Sequence, residues 1–296
     1  MPITVIISHF NPDENRDSSF QWLINTIDSV RNQTGNDEVE IIICDDGSIC
    51  NKNYFPDNDI SIYTKNDFSI FPEFFDLEFD YYIYHHTDRY QRAKLWEKAI
   101  EISHNENLIF LDEDTPLLKR NSLQRYELYF LKYIYIKGRI IKNNGIHGLF
   151  SHLGHQGSNF GIKKSLFKSI RGFSNFIYED SFGDDDDLTY KVYKYISTNK
   201  EGHKACYGGD IIVQNSVQGR WHSGKDDNHN RGEIFAKNFE KQHGVKDSYS
   251  LGSRNKKLWL EFPTWRVRLS EVYHIIFNYI LKQISFFRSV FRFKQR

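Results

Sequence analysis

The sequence has few of the features that would fix a fold covalently or point at once to a ligand. Its 296 residues include only three cysteines, one methionine and six prolines. Cys44, Cys50 and Cys206 are too few, and odd in number, for a disulfide framework, and they read as reduced thiols of a cytosolic protein. The 39 basic and 39 acidic residues cancel, so the basic excess of a general nucleic-acid binder is missing. No uncharged apolar run reaches the roughly 18 residues that span a bilayer. The opening Met1-Pro2-Ile3-Thr4-Val5-Ile6-Ile7-Ser8 lacks the basic and long apolar segments of a signal peptide. Neither glycine pattern that cradles phosphates, G-x-x-x-x-G-K-[ST] or G-x-G-x-x-G, occurs. What is present is a 39% hydrophobic and 16% aromatic chain, enough to bury a core and exclude disorder as its main state.

Apolar patterning indicates α/β architecture. Ile3 to Ile7 and Glu40 to Cys44 are β-rich runs, and Trp22, Leu23, Ile27 and Val30 between them recur at helical spacing. Strand, helix, strand in that order is a βαβ unit of a parallel sheet covered on both faces. Ile60 to Tyr63 and Asn107 to Leu111 read as further strands, and Ser158 to Ile162 as another. Gln91 to Ser103, Asn121 to Tyr133 and Leu188 to Tyr195 read as helices, the last preceded by four aspartates. Residues 68–84 are aromatic and acidic without a clear period. There is no internal repeat. Composition changes near residue 264, which suggests a core domain over 1–250 and a basic, aromatic helical extension over 251–296.

Ligands of open parallel sheets bind beyond the carboxyl ends of the strands. Three such ends carry polar residues: Ser8-His9-Phe10-Asn11, Asp45-Asp46-Gly47-Ser48 and Asp112-Glu113-Asp114. A D-x-D after a buried strand suits Mg²⁺ or Mn²⁺ bridging diphosphate oxygens, and it equally suits a solvated turn. Asp45 and Asp46 fit either a turn held by local hydrogen bonds or acceptors for a base or ribose. Asp184 to Asp187 fit a helix N-terminus, where acids favour the dipole.

Taken in order, these segments resemble a known family. Residues 3–8 with 40–48 are similar to the opening of the GT-A, family 2-like glycosyltransferases. Tyr90-Gln91-Arg92-Ala93-Lys94-Leu95 resembles the F-N-R-A-K-L segment of the beta-1,4-galactosyltransferases, and Asp112-Glu113-Asp114 resembles their D-x-D. Gly172-Phe173 with Gly183 to Leu188 resembles G-F…G-E-D-D-D-I, and Arg220-Trp221-His222-Ser223 resembles R-H-S. The resemblance implies a GT-A, Rossmann-like, mostly parallel sheet flanked by helices, with a C-terminal helical tail. It implies a nucleotide-sugar site of Ser8, Phe10, Asp45, Asp46, Tyr90, Arg92, Asp112, Gly157 and Asn159. Asp114, Asp112 and His222 would hold Mn²⁺ or Mg²⁺, Asp185 would be the catalytic base, and Asp184 would bind the acceptor. Gly138-Arg139 resembles a G-R pair of related bacterial enzymes. The sequence departs from the pattern at Trp96-Glu97, at Ser181-Phe182-Gly183, which replaces G-W-G, and at Asp184, which replaces a glutamate.

The expectation is an inverting, metal-dependent hexosyltransferase that moves Gal, GalNAc, Glc or GlcNAc from a UDP-sugar. Its acceptor would be a hydroxyl of a bacterial-type glycan or lipid-linked glycan: lipopolysaccharide, lipooligosaccharide or capsule. A nucleotidyltransferase and a non-catalytic scaffold with the same fold are the alternatives. Residues 264–296 carry seven Lys/Arg and one acid among large apolar side chains. Such a tail suits an anionic membrane surface, here the cytoplasmic face of the inner membrane, or packing on the domain or on a second copy. No nucleic-acid partner is expected.

Overall fold

The computed structural model describes residues 1–11, 17–35, 38–48, 55, 60–70, 77–85, 91–142, 157–180, 183–198, 202–215, 225–245, 260–261, 263, 266, 269 and 272–273. Strand β1 (Ile3–His9) is buried at every residue because it lies in the middle of the sheet with helices over both faces. It pairs in parallel with β2 (Val39–Asp45) on one side and β5 (Asn107–Asp112) on the other. The register sets His9 opposite Asp45 and Ser8 opposite Asp112, so the three polar strand ends open on the same edge.

The nine-stranded sheet runs β3-β4-β2-β1-β5-β7-β6-β8-β9. On the β2 side lie β4 (Tyr81–His85), parallel to β2, and β3 (Ile60–Thr64), antiparallel at the edge. A short 3-10 turn (Lys65–Ile70) follows β3, and the described part of residues 68–84 includes the end of that turn and most of β4. On the β5 side, β7 (Phe160–Lys163) runs antiparallel between β5 and β6 (Tyr135–Lys142). Strand β8 (Ala205–Asn215) then pairs in parallel with β6, and β9 (Leu260–Glu261) with β8. Leu260 and Glu261, assigned by composition to the extension, therefore belong to the sheet.

Helices α1 (Asp17–Arg31) and α3 (Ser122–Phe130) cover one face. Leu23, Ile27 and Val30 of α1 pack with Val5, Ile7 and Tyr126. The other face is covered by α2 (Arg92–Ile102), α4 (Lys164–Ser169), α5 (Asn175–Asp180) and α6 (Asp184–Thr198), where Trp96, Ile177, Leu188 and Val192 share a core with Phe110 and Phe160. Helix α7 (Lys225–His243) packs Phe239 against Tyr190 of α6. The mixed, mostly parallel sheet between helical layers is the architecture expected from the sequence. One boundary differs: the four aspartates form the first turn of α6 rather than preceding the helix.

Candidate active site

Adjacent acids at the end of β2 have different roles. Asp45 is spent within the protein: Tyr82 donates its hydroxyl to Oδ2, and the Ser48 amide donates to Oδ1 at 2.8 Å. Ser48 in turn accepts from the Asn11 amide at 2.8 Å, which ties the β1 and β2 ends together. Asp46 is buried but half-used. Its Oδ2 accepts the Gln91 amide at 2.8 Å, while Oδ1 has no hydrogen-bond partner among the described residues. His85 Nδ1 stands 3.9 Å away, too far for a hydrogen bond, and it and Gln91 Oε1 are likewise buried without partners. Burial pushes the Asp46 carboxyl above its ordinary pKa, against the pull of His85 and the Gln91 amide. Buried polar atoms left unmatched are costly. Asp46 Oδ1, His85 Nδ1 and Gln91 Oε1 are three such atoms at the ends of β2 and β4 and the start of α2, which makes them candidates for recognising a polar group.

Arg92, at the start of α2, links the strand ends to α6. Its guanidinium grips the Asp184 carboxylate through Nε at 2.7 Å and Nη2 at 2.5 Å, and it lies 3.6 Å from Asp112 Oδ1. It also rests over the Trp96 ring, 4.6 Å from the centroid. Trp96 is fully buried and donates its indole N–H to Ser8 Oγ at 2.8 Å. This departure from the family pattern is thus the platform that sets Arg92 and the β1 end. A Cβ at Gly157 would come within 3.0 Å of the guanidinium.

The D-x-D segment divides similarly. The middle acid, Glu113, turns inward, where its carboxylate binds the His9 ring and accepts the Phe10 amide at 3.0 Å, so it holds the β1 loop in place. Nothing in the sequence distinguished it from its neighbours. The Asp112 amide is fixed by Ser158 Oγ and Thr115 Oγ1, each at 2.9 Å. Burial drives the Asp112 carboxyl up to about 8, opposed by Arg92 and reinforced by Asp114, Glu113 and Asp184. Its Oδ1 is shielded from solvent and has no hydrogen-bond partner among the described residues. Clustered carboxylates, one with an unmatched oxygen, fit a hard divalent cation, which would relieve this repulsion. Among the described residues no three His, Cys, Asp or Glu side chains form a ready-made metal centre. His222 and Tyr90 lie outside the described residues.

The four acids of α6 also separate. Gly183, at φ 76°, lets the helix begin at once, and a Cβ there would meet the Phe235 ring at 2.4 Å. Asp184 is fully buried under Arg92, and burial raises its pKa against that partner. Asp187 is also fully buried: it accepts from the Ser174 amide and hydroxyl at 2.8 and 2.7 Å and contacts His243 Nε2 at 2.8 Å. Asp185 and Asp186 are only partly buried.

Asn159 is part of the sheet's frame. At φ 56° it accepts from the Tyr126 hydroxyl at 2.9 Å and donates to the Arg139 and Ile211 carbonyls at 2.8 and 3.2 Å. Gly138 is required beside it, since a Cβ there would lie 2.3 Å from Asn159 Nδ2. The structure thus places Ser8, Phe10, Asp45, Asp46, Asp112 and Asp114 at or just beyond the ends of β1, β2 and β5, with Arg92 joining Asp112 to Asp184 and lying beside Gly157, while Asn159 is spent within the sheet. Sequence reasoning missed His85, Gln91, Glu113 and the anchoring role of Trp96.

No family model matches the chain, and no curated protein sequence matches it. Solved structures do. TarS of S. aureus aligns at 14% identity and a TM-score of 0.51, over 81% of this chain and 40% of that one. The mannosyltransferase PcManGT of Pyrobaculum calidifontis, solved with GDP-Man and Mn²⁺, aligns at 16% identity and a TM-score of 0.51, over 86% of this chain and 65% of that one. The chain spans less than two thirds of either. At this identity the likeness establishes the fold, that of the nucleotide-sugar glycosyltransferases.

Proposed function

We propose that the protein is an inverting glycosyltransferase that takes its sugar from a nucleotide-diphosphate donor of the UDP class. The observation that carries this reading is the set of buried polar atoms of Asp46, His85 and Gln91 that have no hydrogen-bond partner among the described residues. It lies at one end of an edge whose other end carries acids and Arg92. A pyrimidine base presents an N–H between two carbonyls. Asp46 Oδ1 is a buried acceptor for that N–H, and His85 is a donor for a carbonyl in the tautomer with Nδ1 protonated.

In the reaction, Asp185 takes the acceptor's hydroxyl proton as the oxygen attacks the anomeric carbon from the face opposite the diphosphate. The bond from that carbon to the diphosphate oxygen breaks, and the nucleoside diphosphate leaves with the bonding pair. No covalent enzyme intermediate forms. Arg92 gives the leaving side a fixed positive charge, held in place by Asp184 and Trp96. Asp114 and Asp112, with His222 as the third ligand, would hold Mn²⁺ or Mg²⁺, which supplies charge neutralisation on the diphosphate.

Asp185→Asn tests the assignment. General-base removal is expected to cut transfer by about 10²–10⁴-fold while UDP affinity stays near wild type. Transfer that survives in the variant would contradict the base, and loss of UDP binding would contradict its separation from the donor site. A nucleotidyltransferase would instead release pyrophosphate, and a scaffold would release nothing. The acceptor class is a glycan or lipid-linked glycan hydroxyl, and the basic tail suits an enzyme working at an anionic membrane face.

A further inference from the structure

Lys137 is the only charge of β6 between Tyr135 and Gly138, and it is 2% exposed. Side chains alternate along a strand, so Lys137 shares its face with Tyr135, which packs in the core beneath α6 alongside Leu188 and Val192. Register fixes its depth. Lys137 pairs with Phe160, which pairs with Phe110, two residues short of Asp112. Lys137 is therefore buried in the sheet at the level of Phe110, just below the Asp112 end of β5, within electrostatic reach of the first turn of α6. Among the described residues no ion pair closes on it. Asp184 and Asp187 are taken by Arg92 and His243, and the carboxylates that face Lys137 electrostatically are Asp185 and Asp186.

We propose that Lys137 is a positioning residue that acts through Asp185: it is a titrating counter-charge that restrains the base when protonated and frees it when neutral. The proposal rests on the functional reading above for its catalytic consequence. Accepting a proton neutralises Asp185, which an adjacent ammonium opposes and a neutral amine does not. The change falls in a working range, because burial pulls the Lys137 pKa down to about 7 against the raising effect of Asp185 and then Asp186. Of the other polar groups beside it, burial pushes the Tyr135 phenol upward, and Tyr207 on β8 accepts a hydrogen bond from Arg139 Nε at 3.2 Å. Phe160 of β7 brings no charge.

Two measurements on the full chain test this. In donor turnover, wild-type kcat should rise through about pH 7, and Lys137→Met should lose that inflection and run flat at the upper plateau. An inflection retained in K137M overturns the proposal. The second measurement needs no substrate. Between about pH 7 and about pH 10 the unfolded chain binds a proton that the folded chain does not, so wild type should gain stability over K137M with rising pH. The full gain is on the order of a thousandfold in the unfolding equilibrium. Asp185→Asn should move the onset of this gain to lower pH. A difference that stays flat with pH, or an onset unmoved in D185N, overturns the pairing. If no nucleotide-sugar turns over, the functional reading fails by itself and the stability comparison still decides Lys137.

Discussion

Asp45 and Asp46 are neighbours in sequence with separate duties. Substituting Asp45 by Asn disturbs hydrogen bonds from Tyr82 and Ser48 inside the fold, so the expected loss is stability, about 1–3 kcal/mol. Substituting Asp46 by Asn removes a charged acceptor whose Oδ1 serves no described neighbour, so the expected loss is UDP affinity, about 10- to 100-fold. Calorimetry and thermal unfolding of both variants check the separation; the reverse pattern would exchange their assignments. The sequence marked both acids because they end a β-rich run, but it could not rank them, since what separates them is Tyr82 and Gln91, 37 and 45 residues away. Glu113 illustrates the same limit. A D-x-D reading passes over its middle residue, and only the turn geometry shows that it binds His9.

Among the elements, the first turn of α6 is held from two sides, by Arg92 of α2 and by His243 at the end of α7. His243→Ala removes one of the three contacts to the buried Asp187 carboxylate, whose Oδ1 then keeps only the Ser174 hydroxyl, and it loosens the end of α7. The expectation is about 1–3 kcal/mol of destabilisation and faster amide exchange confined to α7 and the α6 start. Unchanged exchange there would show that the Phe235 and Phe239 contacts hold the helix without the His243 side chain. Strands β1, β2 and β5 were legible because their apolar runs are uninterrupted. Strands β6 and β8 were not, for physical reasons. Lys137 and Arg139 break the apolar pattern of β6 although both are buried, and β8 accommodates Gly208 to Ile211 opposite Gly138 in a bulge that reads as a loop. Among the described side chains of the polar helix α7, Phe239 is buried and Phe235 partly so, too few to make an apolar stripe in the sequence.

For the whole molecule, the sheet extends to β9, and no described helix is long and apolar enough to cross a membrane. Residues 264–296 join seven basic residues to an aromatic, apolar sequence, and we propose that they dock on anionic lipid. Deleting them should abolish co-sedimentation with phosphatidylglycerol vesicles, with neutral vesicles as the control. Binding that persists without them would assign the contact elsewhere, and a monomer formed from a dimer on deletion would assign the tail to a second copy.

A nucleotide-diphosphate site built from Asp46, Arg92 and the D-x-D acids is most directly tested by titrating the full chain with UDP in Mn²⁺ and again in chelator. The result expected is saturable binding that requires the metal and weakens in Asp46→Asn and Asp114→Ala. Absence of UDP binding in Mn²⁺, or binding indifferent to metal and to both substitutions, would contradict the site.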